Sequence, residues 1–398
     1  MIYVHVPFCK SFCRYCDFYS EICPGKGPEE FDEYIDELCA EARLRRGEII
    51  NTLGVKTLYI GGGTPSVMPL RFFYELTKAL DFGPYKEFTV EINPEDVVER
   101  GTGFLRSLKE FGVNRLSFGI QSLDDGILKW MGRRHNARTA VEVFHAARDF
   151  GFDNISVDII FGIGSWGGAS STAAGAGDSG ACSSGAPGSQ GAGSIATLSA
   201  TLDGILALGP EHISAYQLSI EDGSQLAADL KAGRYVEASD EECSKQYQLI
   251  CSRLRDAGYE HYEISNWARA GKEAMHNSAY WTRRPYVGLG PGAHSLTIDR
   301  GTEIRSWNSE ALSGWTPSHE VLTPEEIREE RIMLGLRTAN GIPVETLHRA
   351  DGTFAHAVFF SEDYPLEHRP EGLDIIGDRV RINESFWFVA DSIISDLI

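Results

Sequence analysis

CKSFCRYCDF, residues 9–18, places three cysteines at positions 9, 13 and 16, directly behind the apolar run IYVHVPF (2–8). The whole chain of 398 residues has only 8 cysteines, the others standing at 23, 39, 182, 243 and 251. A loop leaving the carboxyl end of a parallel strand is where barrel and open-sheet α/β proteins build their sites. Zinc would need a fourth ligand besides Cys9, Cys13 and Cys16. Three thiolates on one tight loop suit an iron–sulfur cluster with three irons held and the fourth left open. A zinc or purely structural role stays open on the triplet alone.

Working outward, the first 220 residues alternate short β-branched runs with helical stretches. Strands are expected at 2–8, 55–60, 87–92, 114–120, 154–161 and 212–220, with helices such as 31–46, 70–80 and 138–150 between them. Their near-continuous apolar character predicts parallel strands covered on both faces. Six such units in a row imply a parallel sheet, open or curled into part of a barrel.

The order breaks at 164–197, where 28 of 34 residues are Gly, Ala, Ser or Thr. Such a stretch buries too little apolar surface to offset its ordering entropy, so it is expected to be a flexible insertion, with Cys182 a bystander. After 225 the pattern changes. A helix over 241–257 puts Tyr247, Ile250, Cys251 and Leu254 on one face, a Trp/Tyr/Gly-rich region follows, and a second helix covers 324–336. The expected division is a core at 1–225 and a smaller α+β region at 226–398. Cys39, Cys243 and Cys251 read as core residues, Cys23 as a loop cysteine, and His5 as fixing the exit of the first strand.

A formal charge of −20 disfavours nucleic acid and anionic membrane surfaces as partners. No apolar run reaches the ~18 residues of a membrane helix, and MIYVHVPFC lacks a cationic region before its apolar one. A cytoplasmic protein is the expectation, with a mitochondrion or plastid the alternative in a eukaryote; a homodimer is left open.

The triplet, in company with GGGTPS (61–66), EINPED (91–96), FGIQS (118–122), MGRRH (131–135) and VDIIFG (157–162), resembles the radical S-adenosylmethionine (SAM) superfamily. The resemblance implies a partial (β/α)6 TIM-like barrel of α/β class with a smaller C-terminal α+β domain. It implies a [4Fe–4S] cluster on Cys9, Cys13 and Cys16 with SAM on the fourth iron, the source of a 5′-deoxyadenosyl radical. The SAM contacts it implies are Tyr3, Tyr15, Gly62, Gly63, Thr64, Glu91, Gln121, Arg133, Asp158 and Tyr216. Glu91 would face the ribose and Arg133 the carboxylate, with Arg134 a near rival.

YVHVPFC, GVNRLSFGIQS, HISAYQLSIEDG, YEISNWA and RIMLGLRTANGI narrow the resemblance to the coproporphyrinogen oxidase-related group. That group contains oxygen-independent coproporphyrinogen III oxidases and HemW-type heme chaperones. The oxidases carry a further cysteine where this chain has Phe18, and an N-terminal segment before the first strand, in which Tyr3 already lies here. HNSAYW (276–281) matches the HNxxYW signature of the chaperone-like branch. It implies heme contacts at His276, Asn277, Tyr280 and Trp281, with the imidazole an axial ligand. The implied function is binding heme and delivering it to acceptor hemoproteins. No catalytic residue is expected; the alternative is oxidative decarboxylation of coproporphyrinogen III. The family's Gly-Leu-Pro turn after the fifth strand is replaced here by Gly162-Ile163-Gly164 and the insertion.

Overall fold

The computed structural model describes residues 1–23, 28–167, 191–348 and 371–398. Six parallel strands stand side by side in chain order: β1 (Ile2–Val6), β2 (Thr57–Gly62), β3 (Glu87–Ile92), β4 (Arg115–Gln121), β5 (Ile155–Phe161) and β6 (His212–Gln217). Helices cross over between them, among them α1 (Asp32–Leu44), α2 (Leu70–Leu80), α3 (Ala137–Asp149) and α4 (Ile195–Leu208). Each strand therefore pairs with its successor in sequence, and the sheet grows in one direction as an arc of six β/α units.

Three further strands extend this arc. β7 (Glu260–Glu263) and β8 (Asn266–Ala268) form an antiparallel pair whose inner member lies against β6, and β9 (Val287–Leu289) adds in parallel to β1. In the nine-stranded sheet the end strands are β7 and β9. All three added strands come from beyond residue 226, so the boundary expected at 225/226 falls between elements of one sheet. The rest of the C-terminal region is α+β: α5 (Asp240–Asp256), α6 (Met275–Trp281), α7 (Pro324–Gly335) and two small antiparallel sheets.

The strands are not apolar on both faces, as the sequence reading had them. Leu58, Ile60, Phe88, Val90, Leu116, Phe118, Ile120, Ile155, Val157, Ile159 and Ile213 enter the hydrophobic core. The alternate positions Tyr59, Glu91, Arg115, Ser117, Gln121, Ser156, Asp158, Ser214 and Tyr216 instead line one internal cavity. The period of two is the reason, since successive side chains of a strand point to opposite faces. The outer face packs on helices and the inner face is polar.

The insertion is shorter than expected at both ends. Ser165–Trp166, Gly191–Ala192 and Tyr235–Val236 pair as a small antiparallel sheet. The Trp166 ring stacks on Trp130 with centroids 4.7 Å apart, and Trp130 stacks on Tyr235 at 5.3 Å. Ser194 caps α4 in a capping box with Thr197, so the helix begins at Ile195. Residues 168–190, including Cys182, lie outside the described residues. Among the described residues no helix is long and apolar enough to cross a membrane.

Candidate functional site

The cavity of about 430 Å³ opens at the carboxyl ends of the parallel strands, under the cysteine loop. Cys9, Cys13 and Cys16 all line it. The loop is fastened at several points. Cys23 N–H donates to the Cys9 carbonyl at 2.9 Å, Arg14 N–H to the Met131 carbonyl at 3.1 Å, and Leu226 N–H to the Arg14 carbonyl at 2.8 Å. Cys23 is thus a buried anchor of the loop. Cys39, Cys243 and Cys251 are buried too, as expected.

Glycines bring the next loop against this one. Gly62 has φ +108°, a left-handed value that favours glycine, and a Cβ there would sit 2.7 Å from the His5 ring. At Gly63 a Cβ would meet the Phe8 carbonyl oxygen at 2.8 Å, while its N–H donates to the Val6 carbonyl at 2.7 Å. The following Thr64 places its hydroxyl 3.3 Å from Cys9 Sγ and accepts from Asn93 Nδ2 at 3.2 Å. His5 fixes the strand exit, with Nε2 2.9 Å from the Tyr19 carbonyl.

Burial pushes the Cys9 thiol up and the Cys16 thiol up to about 11. All three cysteines are unpaired thiols in one cavity wall. The fit to a cluster follows from this donor set: three soft ligands of one short loop line one cavity, and metal binding would displace their protons.

Arg133 reaches the same wall from the end of the helix Asp125–Met131. Gly132, at φ +82°, closes that helix. The Arg133 guanidinium donates to Asn93 Oδ1 at 2.6 Å and to the Gly119 carbonyl at 2.8 Å, and lies 3.5 Å from Cys13 Sγ. Arg134 also borders the cavity, but is held by Asp96 at 2.6 Å and by Glu99. Arg133 is therefore the arginine joined to the cysteine loop.

Deeper in, Glu91 accepts from the Tyr59 hydroxyl at 2.7 Å and from Gly62 N–H at 3.2 Å. Burial raises its carboxyl to about 7. Asp158 accepts from Ser117 Oγ at 3.1 Å, and burial raises it likewise. Gln121 holds φ +66° at the end of β4, an unusual value for a residue with a side chain.

Of the SAM contacts expected from the sequence, Tyr15, Gly62, Gly63, Thr64, Glu91, Gln121, Arg133, Asp158 and Tyr216 all line the cavity. Tyr3 does not; its hydroxyl lies 3.1 Å from His5 Nδ1 and its ring 6.2 Å from that of Tyr59. Tyr59, Asn93, Arg115, Ser117, Ser156 and Ser214 also line it and were not singled out. The signal was present in RLSFGIQ (115–121), where polar and small residues occupy every second position.

HNSAYW forms most of a short helix. It is α6, whose Met275 and His276 N–H groups donate to the Glu87 carboxylate at 2.8 and 2.9 Å, a favourable placement of negative charge at a helix start. His276 is 1% exposed, with Nδ1 2.8 Å from the Thr57 hydroxyl and Nε2 2.9 Å from the Tyr280 hydroxyl. Burial lowers its imidazole to about 3. Both ring nitrogens are engaged, so the axial ligand expected of His276 is not offered in this conformation. Asn277 turns into the barrel cavity. Ser278 and Trp281 border a separate groove of about 1200 Å³, which Tyr262, Arg328, Arg331 and Arg379 also line.

The sequence model of the Radical SAM superfamily matches residues 3–166. The chain is 33% identical over 361 residues to heme chaperone HemW of Bacillus subtilis, covering 85% of this chain and 84% of that one. It is 30% identical over 368 residues to the mitochondrial radical S-adenosyl methionine domain-containing protein 1 of Bos taurus, covering 86% and 74%. Among solved structures, coproporphyrinogen III oxidase (HemN) from Escherichia coli, a radical SAM enzyme, superposes with a TM-score of 0.73. That match covers 100% of this chain and 89% of the other at 18% identity, a likeness of fold.

Proposed function

The chain belongs to the HemW family of radical SAM proteins, and on that premise we propose that it is a heme chaperone, binding heme and a SAM-ligated [4Fe–4S] cluster and delivering the heme to acceptor hemoproteins. The observation that carries this reading is the family match over most of both chains, joined to a cysteine loop that has Phe18 and no fourth cysteine. Phe18 is 67% exposed at the cavity rim, so the loop offers three thiols there and an aromatic surface.

Cys9, Cys13 and Cys16 would hold the cluster, and Arg133, Glu91, Gln121 and Asp158 would hold SAM. When bound, that pair supplies one-electron chemistry. The residues of this chain position it: Arg133 ties Cys13 to Asn93, and Thr64 ties Cys9 to the glycine loop.

Heme is assigned to the groove on the outer side of α6. Trp281 offers a flat ring there, and Arg328, Arg331 and Arg379 suit two propionates, since guanidinium and carboxylate pair in two parallel hydrogen bonds. The Arg331 side chain is 58% exposed, against 8% for Arg328. His276 supports this groove from behind and need not leave its partners.

The test is anaerobic cluster reconstitution followed by heme titration, read from the Soret band, with a coproporphyrinogen assay on the same sample. Saturable heme uptake without coproporphyrinogen turnover is expected. Turnover without uptake would make the chain an oxidase.

A further inference from the structure

Arg115 opens β4 and is 2% exposed, yet no hydrogen bond or ion pair from its guanidinium occurs among the described residues. Its Nε is buried without a partner. The side chain nonetheless lines the barrel cavity, together with Ser156, Ser214 and Asn277.

Each carboxylate near it is committed elsewhere. Glu87 accepts from the first N–H groups of α6, Glu91 from Tyr59 and Gly62, Asp158 from Ser117, and Glu263 from Ser265 N–H at 3.1 Å and from Asn266. His212 and His276, the imidazoles on this side, are each bonded through both ring nitrogens. Asp158 lies near enough for the Arg115 charge to favour its ionised form, yet no hydrogen bond or ion pair joins them among the described residues, and a buried cation without a bonded anion is costly. Facing a cavity, it marks a place where an anion is received.

The depth of the cavity separates this place from the upper site. Arg115 is six residues before Gln121 on one strand, roughly 20 Å at the usual rise per residue. Ser156 precedes Asp158 by two positions and Ser214 precedes Tyr216 by two, so the floor lies a layer beneath the residues assigned to SAM. Asn277, carried on α6, adds a side-chain amide to this lining.

We propose that Arg115 and Asn277 form a separate site for the carboxylate of a small organic acid, bound in the barrel beneath SAM. A planar guanidinium with free edges pairs a carboxylate through two parallel hydrogen bonds, which a spherical anion cannot match. This deepens the reading of the cavity as the SAM site, and rests on it only for what lies above.

The experiment titrates propionate into anaerobically reconstituted protein at constant ionic strength, with chloride as comparator. Binding is read from the thermal unfolding midpoint and from the line width of ¹³C-labelled propionate. Saturable binding of propionate but not chloride is expected, kept when SAM is present, weakened at least tenfold in Arg115→Gln and less in Arg115→Lys. Asn277→Leu, which leaves Arg115 in place, is expected to weaken it severalfold, and serves if Arg115→Gln does not fold. Absence of saturable binding, equal binding of chloride, or unchanged binding in Arg115→Gln or Asn277→Leu overturns the proposal. So does displacement by SAM, which would assign Arg115 to SAM's own carboxylate. SAM affinity is measured separately, so a failure of the upper site is distinguishable from a failure of the floor.

Discussion

The Tyr59 hydroxyl donates a 2.7 Å hydrogen bond to a Glu91 carboxylate that burial holds near pH 7. The folded value lies above the ordinary 4.5, so protonation favours the folded state. The stability Glu91 contributes is full below about pH 4.5 and is lost as pH rises through about 7. That interval corresponds to roughly 3 kcal/mol. In SAM-free protein, Glu91→Gln is expected to raise the unfolding midpoint at pH 8 and leave it nearly unchanged at pH 4.5. Equal effects at both values would contradict this account of Glu91.

The three loop cysteines and Cys23 are expected to separate cleanly. Cys9→Ala, Cys13→Ala and Cys16→Ala should each lose most of the iron and its visible absorbance after reconstitution. Cys23→Ala should keep its iron and lose about 1 kcal/mol of stability, since Cys23 fastens the loop to the Cys9 carbonyl. Loss of iron in Cys23→Ala would make it a ligand.

Arg133 works through a planar fork shared by Asn93 and the Gly119 carbonyl. Arg133→Lys keeps the charge and loses that geometry. Iron content should stay near that of the parent while SAM affinity, measured by equilibrium dialysis, falls at least tenfold. Gly119→Ala should act similarly, because its Cβ would lie 2.9 Å from Gln121 Nε2 and 3.2 Å from Asn93 Oδ1.

His276 and Trp281 sit on one helix but are expected to fail differently. His276→Ala removes a buried ring with two hydrogen bonds, so a loss of about 2–4 kcal/mol is expected in chemical denaturation. Heme affinity of the folded fraction should change little. Trp281→Ala and Arg331→Glu should instead weaken heme binding several-fold with small effects on stability. The opposite pattern would return the ligand role to His276.

The arc of six strands, the cysteine loop and nearly the whole upper cavity were legible in the sequence, because each motif closes a strand and strand order follows chain order. The polar floor was not read, although Arg115, Ser117, Ser156 and Ser214 alternate with core residues; the intervening Leu, Phe and Ile dominated the pattern. Tyr3 and His276 stand outside the cavity lining for another reason. Tyr3 lies near the amino end of β1 and His276 in the first turn of α6, where only tertiary packing decides which way a ring turns. The added strands β7 to β9 are three or four residues long and come from a Trp/Tyr/Gly-rich stretch, too short for any period to show.

Heme transfer tests the central claim most directly. The cluster-loaded protein is charged with one equivalent of heme and mixed with an apo-hemoprotein of the same cell, and the Soret shift is followed by stopped flow. A chaperone predicts a transfer rate that rises with acceptor concentration and exceeds the rate at which heme leaves the protein unaided. A rate independent of acceptor, equal to simple dissociation, would contradict it.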